Sequence, residues 1–263
     1  MKKILYANGD SMLFGMECLD HGSKLEENKQ FAFPKHVSDA LGCSEYINNS
    51  YNGATNEFIF NTTLADLVKL EESGHDPKDV FVMIGVTALH RHEIDGQGWF
   101  GMDAHMIKTL EKMQKQDFLG YPVEFNKYGI MFVQPGLEVE MTLQGKEYSL
   151  QKDIVPFLTT YLWTETVLLE SQEARLIALH EILKLKGYDH IFVNSVCPLE
   201  RTKHIDLTCK NFYKLDQHGE AFWEYAVTKY GDAERRQYNH FTPVPHESFG
   251  KELVDYIVTN ILQ

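Results

Sequence analysis

The run Val80-Phe81-Val82-Met83-Ile84-Gly85 limits the fold more than any other part of the sequence. It is continuously apolar and follows turn-forming residues, which is typical of a strand buried on both faces of a parallel sheet. Residues 4–8 and 44–49 are also predicted as strands, and helical patterns over residues 33–41 and 56–70 separate the three strands. This order of elements predicts a parallel sheet with right-handed crossovers.

The second half of the chain continues the same alternation. Residues 164–186 have the spacing of a long amphipathic helix, and residues 189–195 follow as another buried strand. The pattern of residues 244–261 predicts a last amphipathic helix. Between the two halves, residues 130–150 alternate polar and apolar side chains, which predicts an antiparallel ribbon.

The predicted fold class is α/β. We expect a three-layer α/β/α sandwich with a mostly parallel sheet of about five strands. No break in composition marks a second domain, so residues 1–263 are predicted as one domain with an antiparallel insertion at roughly 96–160. The insertion could cover a substrate or form an oligomer contact, and its sequence does not separate the two.

Charge and composition argue against several classes of partner. The formal net charge is -13 at pH 7, whereas nucleic-acid-binding proteins present a basic face to phosphate. No segment approaches the roughly 20 apolar residues of a membrane helix, so no membrane partner is expected. The first apolar run ends at Asn8, too early for a signal peptide, which predicts a cytoplasmic protein. Four scattered cysteines predict reduced thiols rather than a zinc site.

Loops with chemically useful side chains follow the predicted strands of the first half. Gly9-Asp10-Ser11 follows the first strand, residues 52–56 the second and residues 85–88 the third, while His240 precedes the last helix. Ligands collect at the carboxyl edge of such sheets. A serine nucleophile needs a base and donors for the oxyanion, and these loops contain both.

These loops resemble the motif blocks of the SGNH (GDSL-type) hydrolase family. Gly9-Asp10-Ser11 is similar to the first block, Gly53 with Asn56 to the second, and Gly85-Val86-Thr87-Ala88 stands at the third, Gly-x-Asn-Asp. The segment from His240 to His246 is similar to the last block, in which a catalytic histidine precedes a helix. The resemblance covers both ends of the chain well and the insertion poorly.

A narrower resemblance is to a branch of these proteins found in tailed-phage genomes. It rests on the strand end at residues 84–87 followed by Arg91 and Glu93, and on the helix and strand over residues 176–195. A phage origin would predict a protein associated with the virion rather than a cytoplasmic one.

The resemblance to the family implies a role for each matching residue. Ser11 would attack an ester or acetyl carbonyl, and His240 would act first as general base and then as general acid. The backbone N–H groups of Ser11 and Gly53 would line the oxyanion hole. No cofactor and no metal is implied, and the substrate would be a small ester or an acetylated glycan.

The sequence departs from the family pattern in two places. Thr87 stands where the family has an asparagine of the oxyanion hole, and Gln237 stands three residues before His240, where the family has aspartate. Loss of one oxyanion donor typically costs about 10²–10³ in rate. Asn56 is close enough to Gly53 in sequence to substitute as a donor. Gln237 could accept the imidazole N–H but offers no charge.

Supporting roles are predicted for other residues near these loops. Asp10 is expected to brace its turn by hydrogen bonds, and His246 to be a packing or capping histidine rather than a second base. Arg91 and Glu93 either contact the substrate or form a structural ion pair. The histidines on both sides of Arg91 indicate a metal only weakly.

The sequence therefore predicts a serine esterase or O-deacetylase that acts through Ser11 and His240. The alternative is a hydrolase-like domain with weak or lost catalysis, serving as a carbohydrate-binding or structural module, for example on a phage particle. Thr87 and Gln237 are the residues that favour the alternative. A homo-oligomer and assembly into a virion both stay open.

Overall fold

The computed structural model describes residues 2–19, 25–88, 165–196, 205, 209–214, 220–236 and 239–262, together with the backbone of four strands between residues 92 and 149. The chain forms two compact units, one made of Met1–Ala88 with Ser171–Gln263 and the other of Leu89–Glu170. The predicted insertion at 96–160 falls within the second unit. A single domain over the whole chain stays a prediction.

The described residues form the following elements in chain order. The strands are β1 (Ile4–Asn8), β2 (Glu45–Asn48), β3 (Val80–Val86), β4 (His92–Asp95), β5 (Ile130–Val133), β6 (Glu140–Leu143), β7 (Lys146–Ser149), β8 (Asp189–Asn194) and β9 (Phe212–Tyr213). The α-helices are α1 (Ser11–Phe14), α2 (Leu25–Asn28), α3 (Phe33–Ala40), α4 (Asn56–Glu72), α5 (Glu165–Lys186), α6 (Phe222–Tyr230) and α7 (Pro243–Asn260). Short 3-10 helices span Pro77–Asp79 and Gly231–Glu234.

A five-stranded sheet in the order β2-β1-β3-β8-β9 forms the centre of the first unit. Every neighbouring pair of strands is parallel, with Asn8 opposite Ile84 and Val86 opposite Asn194. This confirms the predicted α/β class. The edge strand β9 was not predicted, because two residues are too few to show a strand pattern.

The predicted helices at residues 33–41, 56–70, 164–186 and 244–261 are confirmed as α3, α4, α5 and α7, with small shifts at their ends. Local chemistry explains where two of them begin. The Thr55 side chain accepts a hydrogen bond from the backbone N–H of Phe58 (3.1 Å) and so caps α4. Pro243 is the first residue of α7, where its missing N–H costs nothing.

The two faces of the sheet pack against different helices. On one face, Leu5, Phe81 and Ile191 join a core cluster with residues of α3 and α7. On the other face, Tyr6 donates a hydrogen bond to Asp66 of α4 (3.0 Å), and Asn8 donates to the carbonyl of Ile59 in the same helix (3.0 Å). The first unit therefore has the predicted three layers.

The second unit contains antiparallel strand pairs. Strands β5, β6 and β7 lie within residues 130–150, where the alternating pattern predicted an antiparallel ribbon, and β4 precedes them. Strand β4 pairs with β5, with His92 opposite Val133, and β6 pairs with β7, with Leu143 opposite Lys146.

His246 is a packing histidine inside the core of the first unit, as predicted. Its ring centroid is 4.4 Å from that of Phe222 and 6.0 Å from that of Phe33. Nδ1 accepts a hydrogen bond from the backbone N–H of Phe33 (3.3 Å), which requires the neutral ring. Burial lowers the pKa of His246 to about 3, and it lowers the pKa of His190 in β8 to about 4.

These two histidines predict a loss of stability in acid. Their pKa values are lower in the folded chain than in the unfolded one, so the unfolded chain binds more protons below about pH 6.5. The free energy of unfolding should be unaffected by them above that pH and should fall by up to about 1.4 kcal/mol per pH unit for each histidine below it. Urea titrations at a series of pH values would measure this slope.

His246→Asn is a matched variant for the acid prediction. An amide oxygen there can replace Nδ1 as acceptor for Phe33 N–H, but it does not titrate. The variant should therefore lose less unfolding free energy than the wild type between neutral and acid pH. Equal slopes for both proteins would contradict the assignment of the acid sensitivity to His246.

Candidate active site

Ser11 is the first residue of α1 and directly follows the loop at the end of β1. Asp10 caps this helix, since its Oδ1 accepts a hydrogen bond from the backbone N–H of Met12 (3.0 Å). The other carboxylate oxygen accepts from the Thr87 hydroxyl (2.6 Å). Asp10 thus joins the loop after β1 to the loop after β3, which is the bracing role expected from the sequence. Ser11 itself is 2% exposed.

The side chain of Leu13 packs α1 against Gly9 and Gly85, which lie at the carboxyl ends of β1 and β3. A Cβ atom built on Gly9 would lie 2.8 Å from Leu13 Cδ2, and one built on Gly85 would overlap Leu13 Cδ1. The side chain of Leu13 therefore fills the space that a larger residue would need. Because Ser11 lies on the same short helix, this contact sets the position of the serine on the sheet edge.

A Gly85→Ala substitution should displace Leu13 and with it α1. We expect a loss of about 1–3 kcal/mol of unfolding free energy, typical of overpacking, and a reduced kcat of the proposed hydrolysis. Gly85→Ala combined with Leu13→Ala should be less destabilising than the sum of the single changes, because the small side chain leaves room for the new methyl group. Urea unfolding of the four proteins measures the coupling, and additive losses would contradict the contact.

Hydrogen bonds bring the predicted loops together at the carboxyl edge of the sheet. The backbone N–H of Tyr51 donates to the carbonyl of Gly9 (3.0 Å) and joins the loop after β2 to the loop after β1. The amide of Asn56 bonds the backbone of Thr87 in both directions, with Nδ2 to O at 2.9 Å and N to Oδ1 at 2.8 Å. The three loops meet, as the order of the strands predicts.

The same bonds occupy the side-chain donors of Thr87 and Asn56, which the sequence predicted for an oxyanion and whose role there stays a prediction. The Thr87 hydroxyl proton goes to Asp10, and Asn56 Nδ2 donates both to the Thr87 carbonyl and to Gln172 Oε1 (2.8 Å). Buried polar groups bond to their neighbours, and here neither side chain has a donor left for a substrate. Both hold the loops in place in this structure.

Gly53 has the backbone geometry that its position requires. Its φ is 74°, in the left-handed region that residues with a side chain rarely adopt. The glycine lies in the turn that joins Tyr51 to the cap of α4. Its predicted role as a backbone donor for the oxyanion stays a prediction, and so does that of the Ser11 N–H.

A short turn before α7 holds His240. The backbone N–H of Arg236 donates to the His240 carbonyl (2.7 Å), and Arg235 pairs with Phe241 in an antiparallel bridge. The N–H of Thr242, the cap residue of α7, donates to the carbonyl of Glu234 (3.0 Å). These bonds fix the backbone on both sides of the histidine.

Glu17 is the acidic partner of His240. The Nδ1 atom of His240 lies 2.9 Å from Glu17 Oε2, and both side chains are buried, at 7% and 4% exposure. A carboxylate accepts, so Nδ1 carries a proton toward Glu17 and the lone pair of the neutral ring is on Nε2. This tautomer is the one that a general base for serine needs.

The segment after α1 places Glu17 near Ser11 in the chain. The backbone N–H of Met16 donates to the carbonyl of Ser11 (3.0 Å), and Gly15 ends α1 with a φ of 76°. Glu17 itself has a φ of 61°, a left-handed conformation that costs about 1–2 kcal/mol for a residue with a side chain. The buried pair with His240 holds Glu17 in this conformation.

Sequence reasoning missed Glu17. The family pattern directed attention to Gln237, which lies outside the described residues, whereas the described partner of Nδ1 comes from more than 200 positions earlier. The one available signal was an acidic residue in an otherwise apolar and glycine-containing stretch, Leu13-Phe14-Gly15-Met16-Glu17-Cys18. That signal is weak, because a lone glutamate is usually exposed.

Other predicted site residues fall outside what the structure describes. Arg91 is not among the described residues, and Glu93 is described only as backbone of β4, opposite Phe132. Over the described part of the chain, no group of three His, Cys, Asp or Glu side chains could hold a metal ion. Within the same residues no helix has the length and apolar character needed to span a membrane.

No family model and no curated protein matches the chain. The similar solved structures include a protein assigned to the G-D-S-L family of lipolytic proteins from Desulfitobacterium hafniense DCB-2, with 13% identity, a TM-score of 0.47, and coverage of 97% of this chain and 99% of that one. An acetyl xylan esterase from the rumen bacterium Butyrivibrio proteoclasticus has 12% identity, a TM-score of 0.41, and coverage of 98% and 63%.

A third similar structure is a carbohydrate esterase whose active site is described as having divergent catalytic and non-catalytic binding functions. It has 11% identity, a TM-score of 0.43, and coverage of 98% of this chain and 66% of that one. With TM-scores below 0.5, these similarities carry no argument about activity.

Proposed function

We propose that the protein is a serine esterase or O-deacetylase, with Ser11 as nucleophile, His240 as base and Glu17 as the acidic partner of the histidine. The observation that carries this proposal is the buried hydrogen bond between His240 Nδ1 and Glu17 Oε2 (2.9 Å). In a serine hydrolase the third residue orients the base and stabilises the imidazolium that forms. The neutral Gln237 would have supplied no charge, whereas Glu17 supplies one.

The proposed reaction follows from the tautomer of His240. Ser11 Oγ attacks the ester carbonyl while its proton passes to His240 Nε2. The backbone N–H groups of Ser11 and Gly53 donate hydrogen bonds to the carbonyl oxygen, on which negative charge develops. The protonated ring then gives its proton to the leaving alcohol. A water molecule, deprotonated by the same nitrogen, releases the acid and restores Ser11.

An acetylated glycan is the substrate class we propose, following the family resemblance. The net charge of -13 favours a neutral or cationic substrate over an anionic one. We also propose association with a phage particle. This part of the proposal rests only on the narrower sequence resemblance.

A second candidate function is a binding module with weak catalysis. It is favoured by the bonds of Thr87 and Asn56, because these leave the oxyanion to backbone donors alone. The burial of Ser11 points the same way, since an ester must reach its hydroxyl. The two candidates differ in whether Ser11 reacts with an electrophile.

Labelling with a fluorophosphonate tests the proposed function. The wild type should be labelled at Ser11, and Ser11→Ala should be unlabelled. Ser195→Ala is a matched control, because Ser195 also follows a strand at the same edge but donates its hydroxyl proton to the Val86 carbonyl (2.9 Å). Equal labelling of wild type and Ser11→Ala would move the nucleophile elsewhere, and an unlabelled wild type would favour the binding module.

A further inference from the structure

A second cluster of titratable side chains lies at the amino ends of the sheet strands, whereas Ser11 lies at their carboxyl ends. His190 is near the amino end of β8, His180 is on α5, and Cys209 lies shortly before β9. Strands β1 and β8 run parallel in the same sheet, and Ser11 follows the carboxyl end of β1. The cluster is therefore separate from the candidate active site.

One backbone carbonyl group determines which ring nitrogens of the two histidines carry a proton. His190 Nδ1 is 2.9 Å from the backbone oxygen of Tyr188, and because a carbonyl only accepts, Nδ1 carries the proton. The Nε2 atom of the neutral ring then accepts from His180 Nδ1, at 2.8 Å. His180 must therefore carry its own proton on Nδ1. Its Nε2 is left with a lone pair.

This assignment holds while both rings are neutral. The pKa of His190 is lowered to about 4, mainly because the ring is buried. Burial also lowers the pKa of His180. Aromatic rings surround the pair, with the centroid of Phe212 at 5.0 Å from His180 and that of Phe192 at 5.7 Å from His190. The two imidazoles are thus held in one tautomer and one orientation near neutral pH.

The free lone pair of His180 faces the thiol of Cys209. The distance from Nε2 to Sγ is 3.8 Å, within hydrogen-bonding range for sulfur. The Oδ1 atom of Asn211 is a second acceptor for the thiol, at 3.5 Å, and its amide is oriented by the bond from Nδ2 to the His190 carbonyl (2.7 Å). Glu181 Oε1, 3.7 Å from His180 Nε2, would stabilise a proton that arrives there.

We propose that Cys209 is a base-assisted nucleophilic thiol that forms mixed disulfides with small disulfide compounds, with His180 as its base and His190 as the residue that holds the tautomer of that base. A nucleophile beside a base that is itself oriented by a third group is the usual arrangement for activation. Cys209 as a residue is half-buried rather than fully buried. The ligand class is a low-molecular-weight disulfide.

The proposed step is a balanced exchange. The thiol proton of Cys209 passes to His180 Nε2 as Sγ attacks one sulfur of the disulfide, a new S–S bond forms, and the original S–S bond breaks. The second thiol leaves as a thiolate and takes the proton from His180. No net oxidation or reduction occurs beyond the exchange of partners, and a second small thiol reverses it.

The other described cysteines provide internal references in the same molecule. Cys43 is half-buried, as Cys209 is, but burial raises the pKa of its thiol. Burial also raises the pKa of Cys18, which is 1% exposed. Neither shows a histidine nitrogen among its described hydrogen-bond partners. Cys43, which falls in the same half-buried class, is therefore the reference thiol for the reactivity of Cys209.

The test is a time course with bis(2-hydroxyethyl) disulfide, a neutral probe, on the full chain near neutral pH. Peptide mapping by mass spectrometry would follow each cysteine separately. Cys209 should react at least about tenfold faster than Cys43, a lower bound on the about 10²–10⁴-fold that a positioned base supplies. A Cys209 rate equal to or below that of Cys43 would overturn the proposal, and this comparison needs no variant.

His180→Asn separates the base from its structural role. The Asn amide can donate to His190 Nε2 in place of Nδ1 but has no basic nitrogen. Provided that the thermal unfolding curve stays cooperative, Cys209 in this variant should react at least about tenfold more slowly, while Cys43 keeps its rate. An unchanged Cys209 rate would overturn the role of His180. Ester hydrolysis at Ser11 should be unaffected, since the two sites lie at opposite edges of the sheet.

Discussion

Glu17→Gln is expected to reduce kcat of ester hydrolysis by about 10⁴-fold, the effect of neutralising the acidic residue of a serine protease triad. The amide removes the charge that stabilises the His240 imidazolium. It can also turn its N–H₂ group toward Nδ1, which forces the proton onto Nε2 and leaves Ser11 without a base. Steady-state kinetics on p-nitrophenyl acetate would show the loss in kcat, with KM nearly unchanged.

Two further variants separate charge from fold in this experiment. Glu17→Asp keeps the carboxylate and should retain more activity than Glu17→Gln, although the shorter side chain lengthens the contact of 2.9 Å with His240. Glu26→Gln, at an exposed position on α2, should have wild-type kinetics. If Glu17→Gln folds normally and keeps its turnover within a few fold of wild type, Glu17 does not act through His240.

Ser11→Ala and His240→Ala are each expected to reduce turnover by about 10⁴–10⁶-fold, and the double variant should be no worse than either alone. Residues that act as one catalytic unit show this non-additivity, because the first loss already removes the shared step. The measurement is kcat/KM for p-nitrophenyl acetate and butyrate in all four proteins. It tests whether the serine and the histidine act together.

Ser195→Ala and His246→Asn are the controls for this series, because the structure places both side chains in hydrogen bonds within the protein. Losses that simply multiply in the double variant would mean that Ser11 and His240 do not share a step. Full activity of Ser11→Ala would remove the serine from the mechanism.

The sequence predicted the parts of the fold that depend on local pattern. All seven residues of β3 are buried, and a continuous apolar run is enough to recognise such a strand. The order of strands and helices then limits the topology, because parallel strands need crossover connections of one hand. The two-residue strand β9 has no such pattern, and only its pairing with β8 shows that the sheet has a fifth strand.

The loops of the candidate site were also predictable, since each follows a strand of a parallel sheet and such loops share one edge. The sequence did not predict which donor and acceptor atoms of those loops stay available for a substrate. Thr87 and Asn56 were natural oxyanion donors by sequence position, but their hydrogen bonds go to Asp10, to each other and to Gln172. Whether a polar group is available depends on which other buried groups need a partner, and neighbours in sequence do not reveal that.

The sequence by itself determined strands β1, β2, β3 and β8, the crossover helices and the positions of Ser11 and His240 at element ends, because short-range periodicity and turn chemistry encode these features. Only the tertiary structure decided that Glu17 is the acidic partner of His240. The contact joins the segment after α1 to the turn before α7. A contact between such distant segments arises from how the whole sheet and its helices pack, and no local pattern encodes it.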